Sequence, residues 1–226
     1  MCSRFALSAP ADAVQALFRT EPIAPFPPRY NIAPTEPVHI IRRDGAGRTV
    51  CALVRWGLIP SWVKDPRSFT TLINARSETA REKPSFRGAL RHKRCLFPVT
   101  AFYEWSGPAG RKVPHMFSLR GGGLFAFAGL YEDWLGADGS ELETAAILTT
   151  TANATVAQIH DRMPVILPEH QFVSWLDCKS VDAREAHAML LPAPDALLNA
   201  VEVDRRLNNP RHDGPELQTP VRTTLL

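Results

Sequence analysis

The sequence has few of the features that mark secreted, membrane-spanning or metal-binding proteins. Its 226 residues include only four cysteines, which are widely spaced and form no C-x-x-C pair or cysteine-histidine cluster of the kind that binds zinc. No apolar run approaches the roughly 18 to 20 residues of a membrane span, and none of signal-peptide length follows the first residue. We therefore expect an intracellular, cytoplasmic protein with reduced thiols, no bound metal and no contact with a membrane.

Charge and composition exclude little by themselves. The formal net charge is +3, charged residues make up 22% and hydrophobic residues 45% of the chain, and the sequence pI is near 8.8. These values leave room for a basic surface, but net charge alone does not identify a nucleic-acid partner. The length suffices for one sizeable core, and the sequence has no internal repeat or low-complexity segment. We predict a single domain over residues 1–226.

The start of the chain carries distinctive chemistry. Methionine is normally removed when a small residue follows it, so the mature protein is expected to begin with Cys2. An α-amine has a reference pKa of about 7.7 to 8.0, which leaves part of it neutral at pH 7 and able to attack an aldehyde, forming a Schiff base. The adjacent thiol can then close a five-membered thiazolidine ring. The alternative is that Cys2 is simply a small, buried residue of a first strand.

The pattern of apolar residues and turns predicts an α+β fold. A proline and an i, i+3, i+4 spacing predict a helix over residues 10–19, and two short apolar runs around a glycine-rich turn at 44–47 predict a β-hairpin. Further turns at hairpin-like intervals predict a mostly antiparallel β-sheet or distorted barrel core with flanking short helices. The other strands are expected at 95–105, 116–119, 124–131 and 145–151, and the other helices at 153–159, 168–176 and 182–191.

Two titratable residues have positions suited to proton transfer. Glu104 lies at the end of the apolar run 95–105, where burial would raise its pKa towards values useful in general acid or base catalysis. His160 titrates near neutral pH, and the nearby Arg162 is of the type that commonly binds phosphate. The alternatives are structural, with Glu104 paired to an arginine and His160 a satisfied residue at a helix end.

Two further segments have more than one interpretation. Residues 56–62 combine tryptophan, glycine and proline, which by composition favours a loop that caps the core, although exposed aromatic rings could instead stack on nucleic-acid bases. Residues 81–94 are strongly basic, which indicates either contact with phosphate or a solvated face. Between them, Ser77 or Thr79 is predicted to cap a short helix.

Several short motifs, by their sequence and their order along the chain, identify a protein family more specifically than the features above. The sequence resembles the SRAP family (SOS response-associated peptidase), a family of abasic-site processing proteins. The resemblance extends from the first residue into the tail and implies the SRAP fold, with a motif-bearing core at about residues 2–217. The matching pieces are Met1-Cys2 with Arg4, YNIAP from Tyr30, WGLIPSW from Trp56, NARSET from Asn74, FYEW from Phe102, HDRMPVIL from His160 and DGPEL from Asp213.

The resemblance implies covalent capture of abasic sites in single-stranded DNA. The aldehyde of the opened sugar would join Cys2 in a thiazolidine, which shields the lesion during the DNA-damage response, and an associated abasic lyase activity is expected without any cofactor. By the same resemblance Asn74 holds the cysteine in place, Glu104 carries the proton transfers, and His160 assists Schiff-base formation and crosslink reversal. Thr149 is expected near this site.

DNA binding is implied for a second group of residues. Arg4, Arg76 and Arg162 match positions that hold phosphates flanking the lesion, and Trp105 matches an aromatic residue that borders the DNA channel. Trp62 is expected to add a stacking contact. The protein is expected to be a monomer and to associate with the nucleoid when it acts on DNA.

Two departures from the family pattern bear on the site. Ser3 stands where the family usually has glycine, which constrains the backbone beside Cys2 if that position requires a positive φ. Val63 stands where some members have a second tryptophan after the one matched by Trp62, so one stacking contact is expected to be missing.

Two other functions compete with capture of abasic sites. A cysteine peptidase that uses Cys2 and His160 would need an acylated thiol and an oxyanion hole, and its activity could be limited to removing its own leader. A passive module that binds single-stranded DNA or RNA would have an inert Cys2, and would bind intact and abasic strands alike with a steep salt dependence.

Overall fold

The computed structural model describes residues 2–221, in which thirteen β-strands form the framework of the fold. In chain order they are β1 (Phe5–Leu7), β2 (Arg29–Ile32), β3 (Pro37–Arg43), β4 (Thr49–Trp56), β5 (Asn74–Arg76), β6 (Arg94–Val99), β7 (Ala101–Ser106), β8 (Val113–Leu119), β9 (Phe125–Leu135), β10 (Glu141–Thr151), β11 (Arg162–Pro164), β12 (Ile166–Leu167) and β13 (Leu198–Glu202). The helices are α1 (Ala11–Phe18), α2 (Ser77–Ala80), α3 (Pro84–His92), α4 (Ala154–Ala157), α5 (Phe172–Leu176) and α6 (Ala183–Ala188), with short 3₁₀ turns between them.

Five of these strands close into a barrel. They follow one another in the order β10, β4, β3, β6 and β9, and β9 pairs again with β10. All contacts in this ring are antiparallel except the short parallel pairing of β4 with β10. β5 and β11 also pair with β10, and β12 pairs with β9. The predicted α+β fold with a distorted, mostly antiparallel barrel is therefore confirmed.

A second antiparallel sheet lies against the barrel and carries the start of the chain. Its strand order is β13, β8, β7, β1 and β2. Residues 95–105, predicted as one strand, are two strands in different sheets, since β6 belongs to the barrel and β7 to this sheet. Thr100 lies at the corner, where its hydroxyl oxygen accepts a hydrogen bond from the Ser8 amide at 3.0 Å. The corner was not visible in the sequence because the residues on both sides of it are apolar and buried.

Aromatic side chains fill the space between the two sheets. The Phe5 ring of β1 packs edge to face against Trp56 of β4, with ring centroids 5.1 Å apart. Phe102 of β7 stacks on Phe117 of β8 at 4.9 Å. Burial of such large apolar side chains is the main source of stability in a domain of this size, and it fixes β1, and with it the first residues of the chain, against the barrel.

The predicted helices are present, although one cap was wrong. The Asn153 side chain accepts the Val156 amide hydrogen at 3.0 Å and caps α4, and Asp182 with Glu185 forms a capping box at α6. The prediction that Ser77 or Thr79 caps a helix is wrong, because Ser77 is already the first residue of α2 and its cap position is Arg76. β5 runs directly into α2, so no separate capping residue intervenes.

Part of the basic segment 81–94 is structural. The guanidinium group of Arg94 is 1% exposed and donates hydrogen bonds to the backbone carbonyls of Leu90, Trp175, Asp177 and Val181. Lys93 forms ion pairs with Glu132 and Asp133. These two residues are therefore not free to bind phosphate, whereas Arg87 and Arg91 of α3 are exposed.

The two departures from the family pattern have simple structural outcomes. Among residues 2–221 the only non-glycine residues with positive φ are Arg19 and Thr35. The backbone at Ser3 therefore has a negative φ, and a serine in place of glycine causes no backbone strain there. Val63 is buried with Ile59 and Trp134, and its carbonyl accepts the Trp134 indole hydrogen bond at 2.6 Å. In the part of the chain that is described, no helix is long and apolar enough to cross a membrane.

Candidate active site

Cys2 lies at the junction of the barrel and the second sheet. β1 pairs with β7 in antiparallel register, with Phe5 opposite Phe102 and Ala6 opposite Ala101, and the Tyr103 amide donates to the Arg4 carbonyl at 3.0 Å. Continuing this register toward the chain start places Ser3 opposite Glu104. The strand pairing thus brings the segment that carries Cys2 beside Glu104; Met1 lies outside the described residues.

The Cys2 thiol is buried and neutral. The residue is fully buried, and its sulfur lies 3.7 Å from the Arg4 carbonyl oxygen, to which it donates a weak hydrogen bond. Burial raises the pKa of this thiol well above its ordinary value, and the negative charge of Glu104 raises it further. The thiol therefore needs a base before it can act as a nucleophile.

Asn74 holds the Cys2 backbone from the barrel side. It begins β5, which pairs in parallel with β10 so that Asn74 lies opposite Ile147. The Asn74 side-chain amide donates a hydrogen bond of 2.7 Å to the Cys2 carbonyl oxygen. Its other side-chain atom, the oxygen Oδ1, is buried and accepts no hydrogen bond from residues 2–221. Asn74 thus offers a free acceptor close to the start of the chain.

Glu104 is a buried carboxyl group with a raised pKa. It lies on β7 opposite His115 of β8 and is 3% exposed. Burial raises the pKa of Glu104 to about 7, with the negative charge of Asp161 acting in the same direction and Lys112 opposing it. At neutral pH the protonated and ionised forms of this carboxyl group are therefore both populated. This suits a group that both donates and accepts protons.

His160 shares the cleft with Glu104 and contacts two neighbouring groups through its Nδ1 atom. It follows α4, and its Nδ1 accepts a hydrogen bond of 2.9 Å from the Arg162 backbone amide. This hydrogen bond favours the neutral tautomer that carries its proton on Nε2. Nδ1 also lies 3.0 Å from the Asp161 carboxylate. Burial lowers the pKa of His160, while Asp161 acts in the opposite direction.

These side chains border an open cleft of about 540 Å³. The cleft contains both titratable groups and several cationic or amide side chains. Its lining residues are Ser3, Arg4, Glu104, Trp105, Gly110, Lys112, His160 and Asn208. Cys2 is adjacent to this wall through Ser3, and the volume falls within the range of sites that hold a small molecule or one unit of a polymer.

Arg4 and Trp105 form a fixed side of the cleft. The Arg4 guanidinium donates to the Asn31 side-chain oxygen at 2.7 Å and to the Leu207 carbonyl at 3.1 Å, and it lies over the Trp105 ring at 5.7 Å. The Trp105 indole donates to Asn208 at 2.7 Å. The guanidinium is therefore immobilised beside an aromatic face without a carboxylate partner among residues 2–221.

Arg162 and Arg76 differ in how available they are. Arg162 makes two hydrogen bonds to the Glu78 carboxylate, at 2.5 and 2.9 Å, and one of 2.8 Å to the Thr149 carbonyl. Thr149 is itself buried on β10 opposite Arg76 of β5. Arg76 is exposed and makes no ion pair with the described residues, so it is the more accessible of the two cations.

Trp62 does not line this cleft. It is 59% exposed, packs edge to face against Phe69 at 5.8 Å, and borders a separate surface recess with Arg87 and Arg91 of α3. Trp56 at the other end of the same loop is fully buried. The segment 56–62 therefore serves the core at one end, as its composition predicted, and exposes an aromatic ring at the other. Base stacking by Trp62 stays a prediction.

Three site residues were missed from the sequence. Asn31 is fully buried and binds Arg4 on one side and the backbone carbonyls of Leu207, Asn209 and His212 on the other. Lys112 and Asn208 line the cleft beside Trp105. Asn31 lies within the YNIAP motif, which could have drawn attention to it, whereas Lys112 and Asn208 lie in loops with no pattern of their own.

The described residues give no indication of a metal centre. Within residues 2–221 there is no group of three or more histidine, cysteine, aspartate and glutamate side chains that could hold a metal ion.

The fold and the site define a β-barrel protein with a cysteine at the start of the chain, placed beside a cleft that contains a carboxyl group, an imidazole and several cations. A sequence profile described as SOS response associated peptidase (SRAP) matches residues 1–210. The chain belongs to this family, as its motifs indicated.

Named relatives and solved structures are similar over nearly the whole chain. The abasic site processing protein YoqW of Bacillus subtilis is 40% identical, covering 96% of this chain and 98% of that protein. The abasic site processing protein HMCES of Gallus gallus is 33% identical over 87% of this chain and 67% of its own length. A crystal structure of a protein from Bacteroides thetaiotaomicron superposes with a TM-score of 0.84 at 28% identity, covering 97% of this chain and all of that one.

Proposed function

We propose that this protein processes abasic sites in single-stranded DNA by forming a covalent crosslink through Cys2 after Met1 has been removed. The proposal rests mainly on the position of Cys2. Asn74 donates a hydrogen bond to its carbonyl oxygen, and the negative charge of Glu104 is close enough to raise the pKa of its thiol. The names of the relatives, abasic site processing proteins, point to the same substrate.

The chemistry follows from an amine and a thiol on adjacent carbons. The neutral α-amine of Cys2 attacks the aldehyde carbon of the opened sugar and gives a carbinolamine, which loses water to form an imine. The sulfur then adds to the imine carbon, and the thiol proton passes to the nitrogen. The product is a thiazolidine whose mass equals that of protein plus DNA minus one water.

The raised pKa of the thiol orders these steps. A neutral thiol is a poor nucleophile, so the amine reacts first. The sulfur reacts only after a base has removed its proton. Glu104, with a pKa of about 7, can donate a proton to the departing hydroxyl as an acid and then remove the thiol proton as a carboxylate. Glu104 can perform both transfers because donating the first proton leaves it as the carboxylate that then accepts the thiol proton.

His160 and the free oxygen of Asn74 support the same reaction. The Nε2–H group of His160 can donate a hydrogen bond to an oxygen atom of the sugar in the tautomer whose Nδ1 accepts the Arg162 amide. The unused Oδ1 of Asn74 can accept a hydrogen bond from the α-amine. The imine also acidifies the adjacent sugar carbon, so loss of that proton with rupture of the bond to the 3′ oxygen accounts for an associated lyase activity.

A single strand is the proposed substrate because its sugars are easier to expose than those of a duplex. A lesion must leave the base stack to expose its sugar, which costs least when the strand is already unpaired. Arg4, Lys112 and Arg76 provide cations for the flanking phosphates, and Trp105 and Trp62 provide faces on which bases can stack. The protein is proposed to act as a monomer, since one chain supplies all of these groups.

The decisive experiment is denaturing electrophoresis combined with mass spectrometry of intact adducts. Untagged protein, shown by its mass to lack Met1, is mixed with a single strand that contains one abasic site. Parallel reactions use the undamaged strand, the same lesion in a duplex, and Cys2→Ala protein. A shifted band of the stated mass that requires both the lesion and Cys2 supports capture. The absence of any stable adduct from trimmed protein would overturn it.

The rival functions give different results in the same experiment. A passive binding module would retain equal affinity for intact and abasic strands in Cys2→Ala protein and in protein that keeps an N-terminal extension. Crosslinking through the Cys2 amine instead requires a free N-terminus, so the extended protein should bind but form no adduct. A peptidase would cleave a peptide substrate without DNA, and the crosslink would play no part in its activity.

A further inference from the structure

A second pocket lies at one mouth of the barrel and shares no lining residue with the cleft near Cys2. It has a volume of about 470 Å³. Its wall is formed by the end of β3 and the following turn, the end of α3, the start of β6, β9, and the segment after α5. The residues lining it are Arg42, Arg43, Asp44, Gly45, Gly47, His92, Arg94, Tyr131, Leu176, Asp177, Cys178 and Lys179.

Two arginines on the pocket wall have most of their hydrogen-bond donors unused. Arg42 donates to Glu143 at 3.0 Å and lies over the Tyr131 ring at 5.2 Å. Arg43 donates to the Gly47 carbonyl at 2.6 Å. The Nε–H groups of both arginines are buried and have no acceptor among residues 2–221. Each guanidinium group thus uses one of its five N–H donors, which leaves donors for an oxygen-rich ligand in the pocket.

Other groups add to the positive charge of the pocket. Arg94 is surrounded by backbone carbonyls and makes no ion pair with a carboxylate among the described residues, so its full charge remains in the wall. Lys179 is exposed and likewise has no ion pair within residues 2–221. Guanidinium and ammonium groups that converge from separate elements are the usual means of binding phosphate.

The acidic residues in and beside the pocket cancel only part of this positive charge. Asp44 is held by Arg48, through its guanidinium at 2.8 Å and its backbone amide at 2.8 Å. The Asp177 carboxylate accepts the backbone amides of Lys179 and Ser180, each at 3.0 Å. Asp44 is therefore neutralised by Arg48, whereas Asp177 keeps its negative charge and Glu143 pairs with Arg42. The cations of the wall without an ion pair among residues 2–221, Arg43, Arg94 and Lys179, still outnumber Asp177.

We propose that this pocket binds the phosphate group of a small phosphomonoester, such as a mononucleotide. The cations of Arg42, Arg43 and Lys179 hold the phosphate. The volume exceeds that of phosphate alone, and Tyr131 and Leu176 provide an apolar wall for the organic part of the ligand. This assignment is independent of the reaction proposed for Cys2, because the two sites have no lining residue in common.

The test uses amide proton–nitrogen correlation spectra of the full chain titrated with inorganic phosphate, with adenosine monophosphate, and with chloride at matched ionic strength. Saturable shifts of the Gly45, Gly47 and Lys179 amides with phosphate and the nucleotide, but not with chloride, are expected. Arg43→Gln with Lys179→Gln should weaken phosphate binding by about tenfold or more, since two charge-assisted bonds are lost. Arg120→Gln, an exposed arginine in a turn of the other sheet, is the matched control and should bind normally.

Each outcome decides the proposal. Lys179→Gln alone changes only an exposed side chain and keeps the test valid if the double variant is unstable. Equal shifts with chloride, or equal affinity in the variants and wild type, would overturn the site. Displacement of phosphate from these three amides by an undamaged single-stranded oligonucleotide, with no response to the mononucleotide, would assign the pocket to the DNA backbone and overturn the small-ligand proposal. DNA crosslinking by the double variant should remain at the wild-type level.

Discussion

The Asn74 side chain ties the backbone of Cys2 to the barrel through a hydrogen bond of 2.7 Å to the Cys2 carbonyl. Asn74 is fixed by its pairing with β10, whereas Cys2 leads into β1 of the second sheet. The bond therefore sets the position of the chain start relative to both sheets. In the proposed reaction this is the position of the attacking amine.

Asn74→Asp should slow crosslink formation more than it weakens DNA binding. A carboxylate cannot donate to the Cys2 carbonyl and would repel it, so the amine loses its alignment. We expect the initial rate of adduct formation to fall about 10- to 100-fold, the usual effect of misplacing a reacting group. The rate is measured by denaturing gel under single-turnover conditions, with affinity for undamaged DNA as the second readout.

Asn199→Asp, on an exposed position of β13, is the matched control. Equal rates in both variants would contradict the role of Asn74 in aligning the Cys2 amine.

The rate of crosslinking should depend on pH through Glu104. Its pKa of about 7 predicts an inflection in the rate profile near neutral pH. Glu104→Gln removes both the acid and the base, so the rate should fall by about 100-fold or more and the inflection should disappear. A profile that keeps its inflection in Glu104→Gln protein would assign the titration to another group, with His160→Gln as the next variant to measure.

Glu104 should also make folding stability depend on pH. Its pKa is raised from 4.5 to about 7 in the folded protein, so its contribution is fully present below the unfolded pKa and is lost as pH rises through the folded pKa. By linkage the loss is about 3 kcal/mol between about pH 4 and about pH 8. Urea unfolding of the wild type and Glu104→Gln at both pH values measures it. The difference in unfolding free energy between the two proteins should shift in favour of the variant at the higher pH.

The sequence predicted local features of the fold better than long-range ones. The hairpin of β3 and β4 was found because the turn around Gly45 and Gly47 interrupts two apolar runs. Burial of Glu104 was one of the two interpretations of its position at the end of an apolar run, and the structure confirms it. The corner at Thr100 was not, since periodicity cannot distinguish one long buried strand from two.

Contacts between distant parts of the chain lay beyond any local pattern. The Asp213 carboxylate accepts the amides of Tyr30 and Asn31 at 2.5 and 2.8 Å and so fixes the tail against β2. Nothing near Asp213 in the sequence specifies these partners. The same holds for the basic segment, where Arg94 and the exposed Arg91 look alike in sequence but only one lies in the core.

Trp62→Ala should weaken DNA binding without destabilising the fold. The ring is 59% exposed, so its removal costs little packing, whereas a lost base stack is worth about 1–3 kcal/mol, or roughly 5- to 150-fold in affinity. Fluorescence anisotropy with undamaged single strands measures the effect. Leu53→Ala, an exposed residue of β4 at 60%, is the matched control for loss of surface apolar area. Unchanged affinity in Trp62→Ala protein would place the DNA path away from this loop.

The ion pair of Arg162 with Glu78 predicts that DNA must compete for this arginine. Both terminal nitrogens of Arg162 are bonded to the carboxylate, and Arg162 lowers the pKa of Glu78, so the pair is charged at neutral pH. A phosphate can be held by Arg162 only if it displaces Glu78 or shares the guanidinium with it. Glu78→Gln keeps a hydrogen-bond acceptor in place but removes the competing charge and its repulsion of DNA. Affinity for undamaged single strands should therefore rise about three- to tenfold at low salt, with the gain shrinking as salt screens the phosphates.

Glu82→Gln, an exposed glutamate just beyond α2, controls for the change in net charge. If both substitutions raise affinity equally, the effect belongs to net charge and Arg162 does not hold a phosphate.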